Sequence, residues 1–145
     1  MFFKDENIKI ATEPILVFTP VKIGWKNGKS HNSFLYVRPQ KFLSKGKTYT
    51  NKKFGDCRIL PKPKENNVRD YNVIRYEGFV SSKTIKDVSN YGHQTAPVGW
   101  VIAVCEIPTG AHYAEGWYYA NPLYADVILS DKIKVICDNY AYWNH

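Results

Sequence analysis

Residues 98–136 constrain this chain more than any other stretch: VGWVIAVCEIPTGAHYAEGWYYANPLYADVILSDKIKVI. The apolar run 98–105 is far shorter than the roughly 20 residues a membrane span requires. From Trp100 to position 107 apolar side chains fall on both faces, which predicts a central strand covered from two sides. The aromatic, glycine-broken segment after it reads as a loop of ligand size, and residues 125–136 as a β-branched partner segment. Residues 124–129 and 132–137 alternate in part, and Ser130-Asp131 either turns the chain or kinks one long strand.

Upstream, residues 15–25, Asn27-Gly28 and residues 33–37 read as a hairpin. Asn-Gly suits a type I′ turn, whose two central residues take positive φ. With that turn Val21 faces Phe34 and Thr19 faces Tyr36. Pro20 makes this an edge strand or starts it after position 20.

Residues 38–68 are broken by Pro39, Gly46, Gly55, Pro61 and Pro63 and read as loop, 41–68 being a basic, partly flexible region with a short strand near 47–50 and a flexible tip at 62–69. Residues 72–80 form a further strand bent at Gly78. A helix of about two turns follows, opened by Thr84-x-x-Asp87 or by Ser82 and closed by Asn90 and Gly92. The tail 139–145 is aromatic enough to dock on the sheet.

These elements predict an α+β fold: a single small domain over 1–145 with an antiparallel or mixed sheet and one short helix. At 145 residues, 44% hydrophobic and 15% aromatic, the chain has the apolar content for one packed core. Asp5 and Glu6 stand where a secretory signal would be apolar, so a cytoplasmic protein with no membrane contact is expected. Cys57, Cys105 and Cys137 are odd in number, form no CxxC and have no His at ligand spacing; no metal and no cofactor is expected.

The net charge of +7 is unevenly spread. Residues 1–40 carry +3, residues 41–64 carry +7 and residues 65–145 carry −3. Within 41–64, Lys41, Lys45, Lys47, Lys52, Lys53, Arg58, Lys62 and Lys64 are interleaved with Phe42, Tyr49 and Phe54. Cations with stacking rings suit single-stranded nucleic acid, although a solvated loop with one arginine has the same composition.

A second constellation is His112, Tyr113, Glu115, Trp117, Tyr118, Tyr119, Asn121 and Tyr124. Flat rings beside a titratable pair suit a small-molecule pocket or a protein contact; alternatively the rings close the open end of a small core. His31, His93, His112, Glu77, Glu106 and Glu115 have no diagnostic catalytic spacing, and no nucleophile-elbow, zinc-protease, phosphate-loop or dinucleotide motif occurs.

The run of GKTY (46–49), YEGFVSS (76–82), a short helix, VIAVCEIPTGAHYAEG (101–116) and ADVILSDKIKVI (125–136) resembles a loose group of small phage and bacterial proteins without assigned function. That resemblance covers residues 15–136 and implies a phage-like or prokaryotic source, hence host cytoplasm. The Gly-aromatic turn, short helix and closing strands are also similar to the ADP-ribosyltransferase-like fold. There the resemblance would set Arg75 or His31 against the NAD phosphates or ribose, Ser81-Ser82 in place of the serine-threonine-serine strand and Glu115 as the catalytic glutamate, so that Arg75, Ser81 and Glu115 form the active site; the full serine-threonine-serine motif and the paired acid are missing.

The first functional expectation is a non-enzymatic binding module working through the aromatic loop 113–124, with Trp117, Tyr118 and Tyr119 supplying contact area and His112 and Glu115 setting orientation. The alternatives are a nucleic-acid-binding accessory protein using 41–64 and an NAD-consuming transferase using Glu115.

Overall fold

The computed structural model describes residues 8–35, 37, 39–54, 58–59, 74–75, 78–95, 99–120 and 123–142. In chain order its elements are β1 (Ile8–Ile10), β2 (Ile15–Lys26), β3 (Lys29–Phe34), β4 (Thr48–Thr50), β5 (Arg58–Ile59), β6 (Ile74–Arg75), β7 (Phe79–Ser81), α1 (Ile85–Thr95), β8 (Trp100–Ile107), β9 (His112–Ala120), β10 (Leu123–Ser130) and β11 (Lys132–Tyr142). The coarse expectation of a small fold of mostly antiparallel strands and one helix holds for these residues. The strands divide, however, into a four-stranded sheet β1-β9-β10-β7, a five-stranded sheet β3-β2-β8-β11-β4 and the pair β5-β6.

The hairpin forms with the register that Asn-Gly dictates: Val21 lies opposite Phe34, and Asn27 and Gly28 take φ of 53° and 76°. Tyr36, the expected partner of Thr19, lies outside the described residues. Pro20 neither starts the strand nor marks a sheet edge, because β2 pairs with β8 from Ile15 to Lys22. The Phe18 N–H points away from β8, to the Ser82 carbonyl at 2.7 Å. By the two-residue period the missing Pro20 N–H falls on that same flank, where β3 pairing has already stopped at Val21. Proline therefore costs the ladder no bond.

β8 is central, as its two-faced apolarity requires. Val101, Ala103, Cys105 and Ile107 join Val17, Val21, Ile133 and Val135 in a core that also takes Phe79 and Ile128 from the other sheet. The opposite face of β8, through Trp100 and Ile102, packs with Val88 of α1.

The helix runs three turns rather than two. Thr84 opens it as expected: its hydroxyl accepts the Asp87 N–H at 3.1 Å and donates to the Asp87 carboxylate at 2.8 Å. Gly92 does not close it. It lies within the helix because α1 meets Trp100 there, and a Cβ at that position would stand 2.4 Å from the indole ring.

Residues 112–120, expected as a loop, form strand β9. It pairs with β10 from Ala120 opposite Leu123 to Tyr113 opposite Ser130. Aromatic residues favour strands, and Gly116 is accommodated opposite Val127. Residues 124–137 are not one kinked strand either: β10 and β11 belong to different sheets, joined through Asp131. The tail docks as far as Tyr142, which lies opposite Val101. Of the basic loop, β4 appears near the expected place and the tip 62–69 lies outside the described residues; further on, Gly78 is a bend as expected.

Candidate functional site

The aromatic hairpin is largely committed to the fold. The Tyr118 ring meets Tyr91 of α1 edge-on at 5.4 Å, and Tyr113 packs on the main core. His112 is tied to the sheet-to-sheet corner. Its N–H reaches one Asp131 carboxylate oxygen at 2.8 Å, its Nδ1 lies 3.2 Å from the other, and the Asp131 N–H returns to the His112 carbonyl at 3.0 Å. The side chain of Tyr119 and all of Asn121 lie outside the described residues.

Glu115 is held between Lys83 at 2.9 Å and Lys9 at 3.4 Å. The bond from Lys83 keeps its carboxyl below the ordinary range against a smaller opposing effect of burial, and Lys83 is raised in turn by the same bond. Trp117 is half-buried, and Tyr124 is 47% exposed with its hydroxyl donating to Asp126 at 2.7 Å. Between this end of β10 and the start of α1 run two shallow clefts, of about 430 and 590 Å³, sharing Thr84, Asp87 and Asp126.

Ser81 and Glu115 stand in one row across the sheet, with Ile128 between them. Two strand spacings separate them by roughly 10 Å, and the Ser81 hydroxyl is buried without a hydrogen-bond partner. The Arg75 side chain lies outside the described residues; its backbone belongs to the separate pair β5-β6. His31 sits on β3, edge-on to Phe42 at 5.9 Å. Burial pushes the Cys105 thiol up to about 12, the Thr19 hydroxyl pulling the other way. A thiol so placed is a core side chain, not a nucleophile. Among the described residues no group of three His, Cys, Asp or Glu could hold a metal ion.

No family model, curated protein or solved structure matches this chain. Function therefore has to be read from the surface itself.

The basic region has more structure behind it than its composition suggests. Lys45, Lys47, Lys52 and Lys53 are exposed and Lys41 half-buried. The Arg58 side chain, Lys62 and Lys64 lie outside the described residues. Of the expected stacking rings only Phe42 is available, at 39% exposure. Tyr49 is buried, donating its hydroxyl to the Phe42 carbonyl and accepting the Ser44 N–H, and Phe54 packs beside Val80 and Tyr91.

Two further features join this region. First, β4 pairs with β11 so that Thr50 faces Lys132 and Thr48 faces Lys134, which adds two lysines from more than 80 positions downstream. Second, between Glu13 and Asp56 there is no acidic residue at all, against nine lysines and arginines. That acid-free stretch contains β2, β3 and β4, so the β2–β3 hairpin, with exposed Lys22 and Lys29, belongs to the same basic band. Its tip carries Trp25, 76% exposed. The acid-free interval is visible in the sequence; the exposure of Trp25 is not.

Proposed function

We propose that the protein is a non-catalytic binding module for polyanions, nucleic acid above all, acting through the band that runs from the β2–β3 hairpin along residues 41–53 to the β4–β11 edge. One observation carries the reading: 42 consecutive residues without an acid supply both edge strands of the five-stranded sheet. Lysines with no acid interleaved attract phosphates and displace their counterions on contact. Lys132 and Lys134 border the band, with Glu106 of β8 opposite Lys134, and Lys47, with its ammonium 5.0 Å from the Tyr49 ring centroid, is held near a fixed surface.

The test is fluorescence anisotropy of labelled 20-nucleotide and 20-base-pair DNA in low and moderate salt. Four phosphate contacts to a single strand predict binding about 50-fold weaker at about 200 mM than at about 50 mM salt. Absence of binding to either DNA at low salt would remove the reading.

A second reading is favoured by the clefts beside α1. There Tyr124 and Leu123 offer apolar surface between charges of both signs: Lys83, Lys86, Asp87 and Asp126. Shallow clefts bury little of a small molecule, so a protein segment is the occupant they suit. Loss of a captured protein on Tyr124→Ala, with an unchanged melting temperature, would support it.

A further inference from the structure

We infer that the face of the β2–β3 hairpin turned away from the core seats one nucleotide unit, Lys22 and Lys29 taking the phosphate and Phe42 the base; this rests on the polyanion reading above. In the hairpin register Lys22 lies opposite Ser33 and Gly24 opposite His31. By the two-residue period these four and Lys29 face one way, whereas Val21, Ile23 and Trp25 face the other. Phe42 bridges to Ser33 from the far side of β3. It therefore stands on the lysine side, in one row with Lys22 and roughly 10 Å from it across two strand spacings. Gly24 contributes no side chain, and a Cβ there would lie 2.9 Å from the His31 carbonyl oxygen. The floor at Gly24 is thus bare backbone. Lys22, two positions along β2, and Lys29, its diagonal neighbour on β3, are each roughly 7 Å away, and both are exposed. A phosphate over Gly24 lies within reach of both ammonium groups.

The ring beside this seat is firmly mounted. On either side of Phe42 the backbone is pinned to β3: the Phe34 N–H donates to the Lys41 carbonyl at 3.1 Å and the Leu43 N–H to the Asn32 carbonyl at 2.8 Å. The Tyr49 hydroxyl holds the Phe42 carbonyl. His31 meets the ring edge-on with centroids 5.9 Å apart, yet Phe42 remains 39% exposed. Ser33 stands between Phe42 and Lys22, and its hydroxyl accepts the Gln40 amide at 3.0 Å, which brings a polar side chain within reach of a base edge. A fixed ring next to cations is how bases and backbone of a strand are held together without sequence preference. The acid on this face of β8, Glu106, is opposite Leu16, six positions along β2 from Lys22 and roughly 20 Å away, so the seat is not neutralised from there.

The experiment compares a labelled deoxythymidine 20-mer with end-labelled inorganic polyphosphate, which carries the charges without the bases. Both are titrated with the full chain and with Phe42→Ala, Trp25→Ala and a Lys22→Gln, Lys29→Gln double variant. Melting curves establish that each variant folds, and Phe42→Leu takes the place of Phe42→Ala if that one does not. Phe42→Ala is expected to weaken the 20-mer about 5- to 150-fold, the loss of one stacked base, and to leave polyphosphate unchanged. The double variant weakens both ligands, and Trp25→Ala, on the opposite face, weakens neither. Equal losses of both ligands on Phe42→Ala, or none of either, would overturn the base contact while leaving polyanion binding in place. A loss on Trp25→Ala, or none on the double variant, would overturn the choice of face. Failure of the full chain to bind either ligand at low salt would overturn the polyanion reading as well.

Discussion

The Asp87 carboxylate accepts the backbone N–H of Asp126 at 3.1 Å, so one side chain of α1 continues the hydrogen bonding of strand β10. It is not alone. Ser82 donates its hydroxyl to the Asp126 carbonyl at 2.7 Å, and Asn90 donates its amide to the Tyr124 carbonyl at 2.9 Å. β7 pairs with β10 only over Ile128 to Ser130. Beyond that point three side chains take the place of a neighbouring strand and cover an otherwise open edge.

Asp87 also closes the Thr84 cap, so its removal acts on two elements. Asp87→Ala is expected to cost about 1–2 kcal/mol, against about 1 kcal/mol for Thr84→Ala, which removes the cap alone. Urea denaturation measures both. Equal losses would mean that the bond to Asp126 contributes nothing.

Gly92→Ala sets two effects against each other. Alanine favours a helix interior by about 1 kcal/mol over glycine, but the new methyl would lie 2.4 Å from the buried Trp100 ring. Overpacking of a core costs about 1–3 kcal/mol, so net destabilisation is expected despite the better helix former. A raised melting temperature would show that Trp100 moves aside freely.

Glu115 and Lys83 predict a shallow pH dependence of stability. The Glu115 carboxyl is lowered from its ordinary 4.5, so its contribution is present above that value and is lost as pH falls through the folded-state pKa. Lys83 is raised from 10.5, so its contribution is full below that value and is lost as pH rises through its own folded-state pKa. Both side chains are more than a third exposed, and such pairs contribute less than about 1 kcal/mol. Glu115→Gln should flatten the acid limb of stability against pH and leave the rest almost unchanged. A large loss at neutral pH would contradict the exposed geometry.

Local rules make some of this legible in the sequence. Asn27-Gly28 sets Val21 opposite Phe34, apolar residues on both faces make β8 central, and Thr84 with Asp87 places the start of α1. The rest depends on distant partners. The change of sheet after β10 occurs through Asp131, whose bonds go to His112 and, through its carbonyl, to Asn51. Gly92 resembles a helix stop until Trp100 stands against it. Strand β9 carries glycine and rings where a period of two would show contrast, so its composition reads as a loop. The alternation of β2 gives the face of Trp25 but not the point at which that face leaves the core.

The most direct measurement is the affinity for a deoxythymidine 20-mer across a salt series, for the full chain and for a Lys22→Ala, Lys29→Ala, Lys45→Ala variant. About four neutralised phosphates predict a slope of log affinity on log salt of about −3, made shallower by about 0.7 for each phosphate left without its lysine. A slope near zero, or one that the three substitutions leave unchanged, would contradict the assignment of polyanion binding to this band.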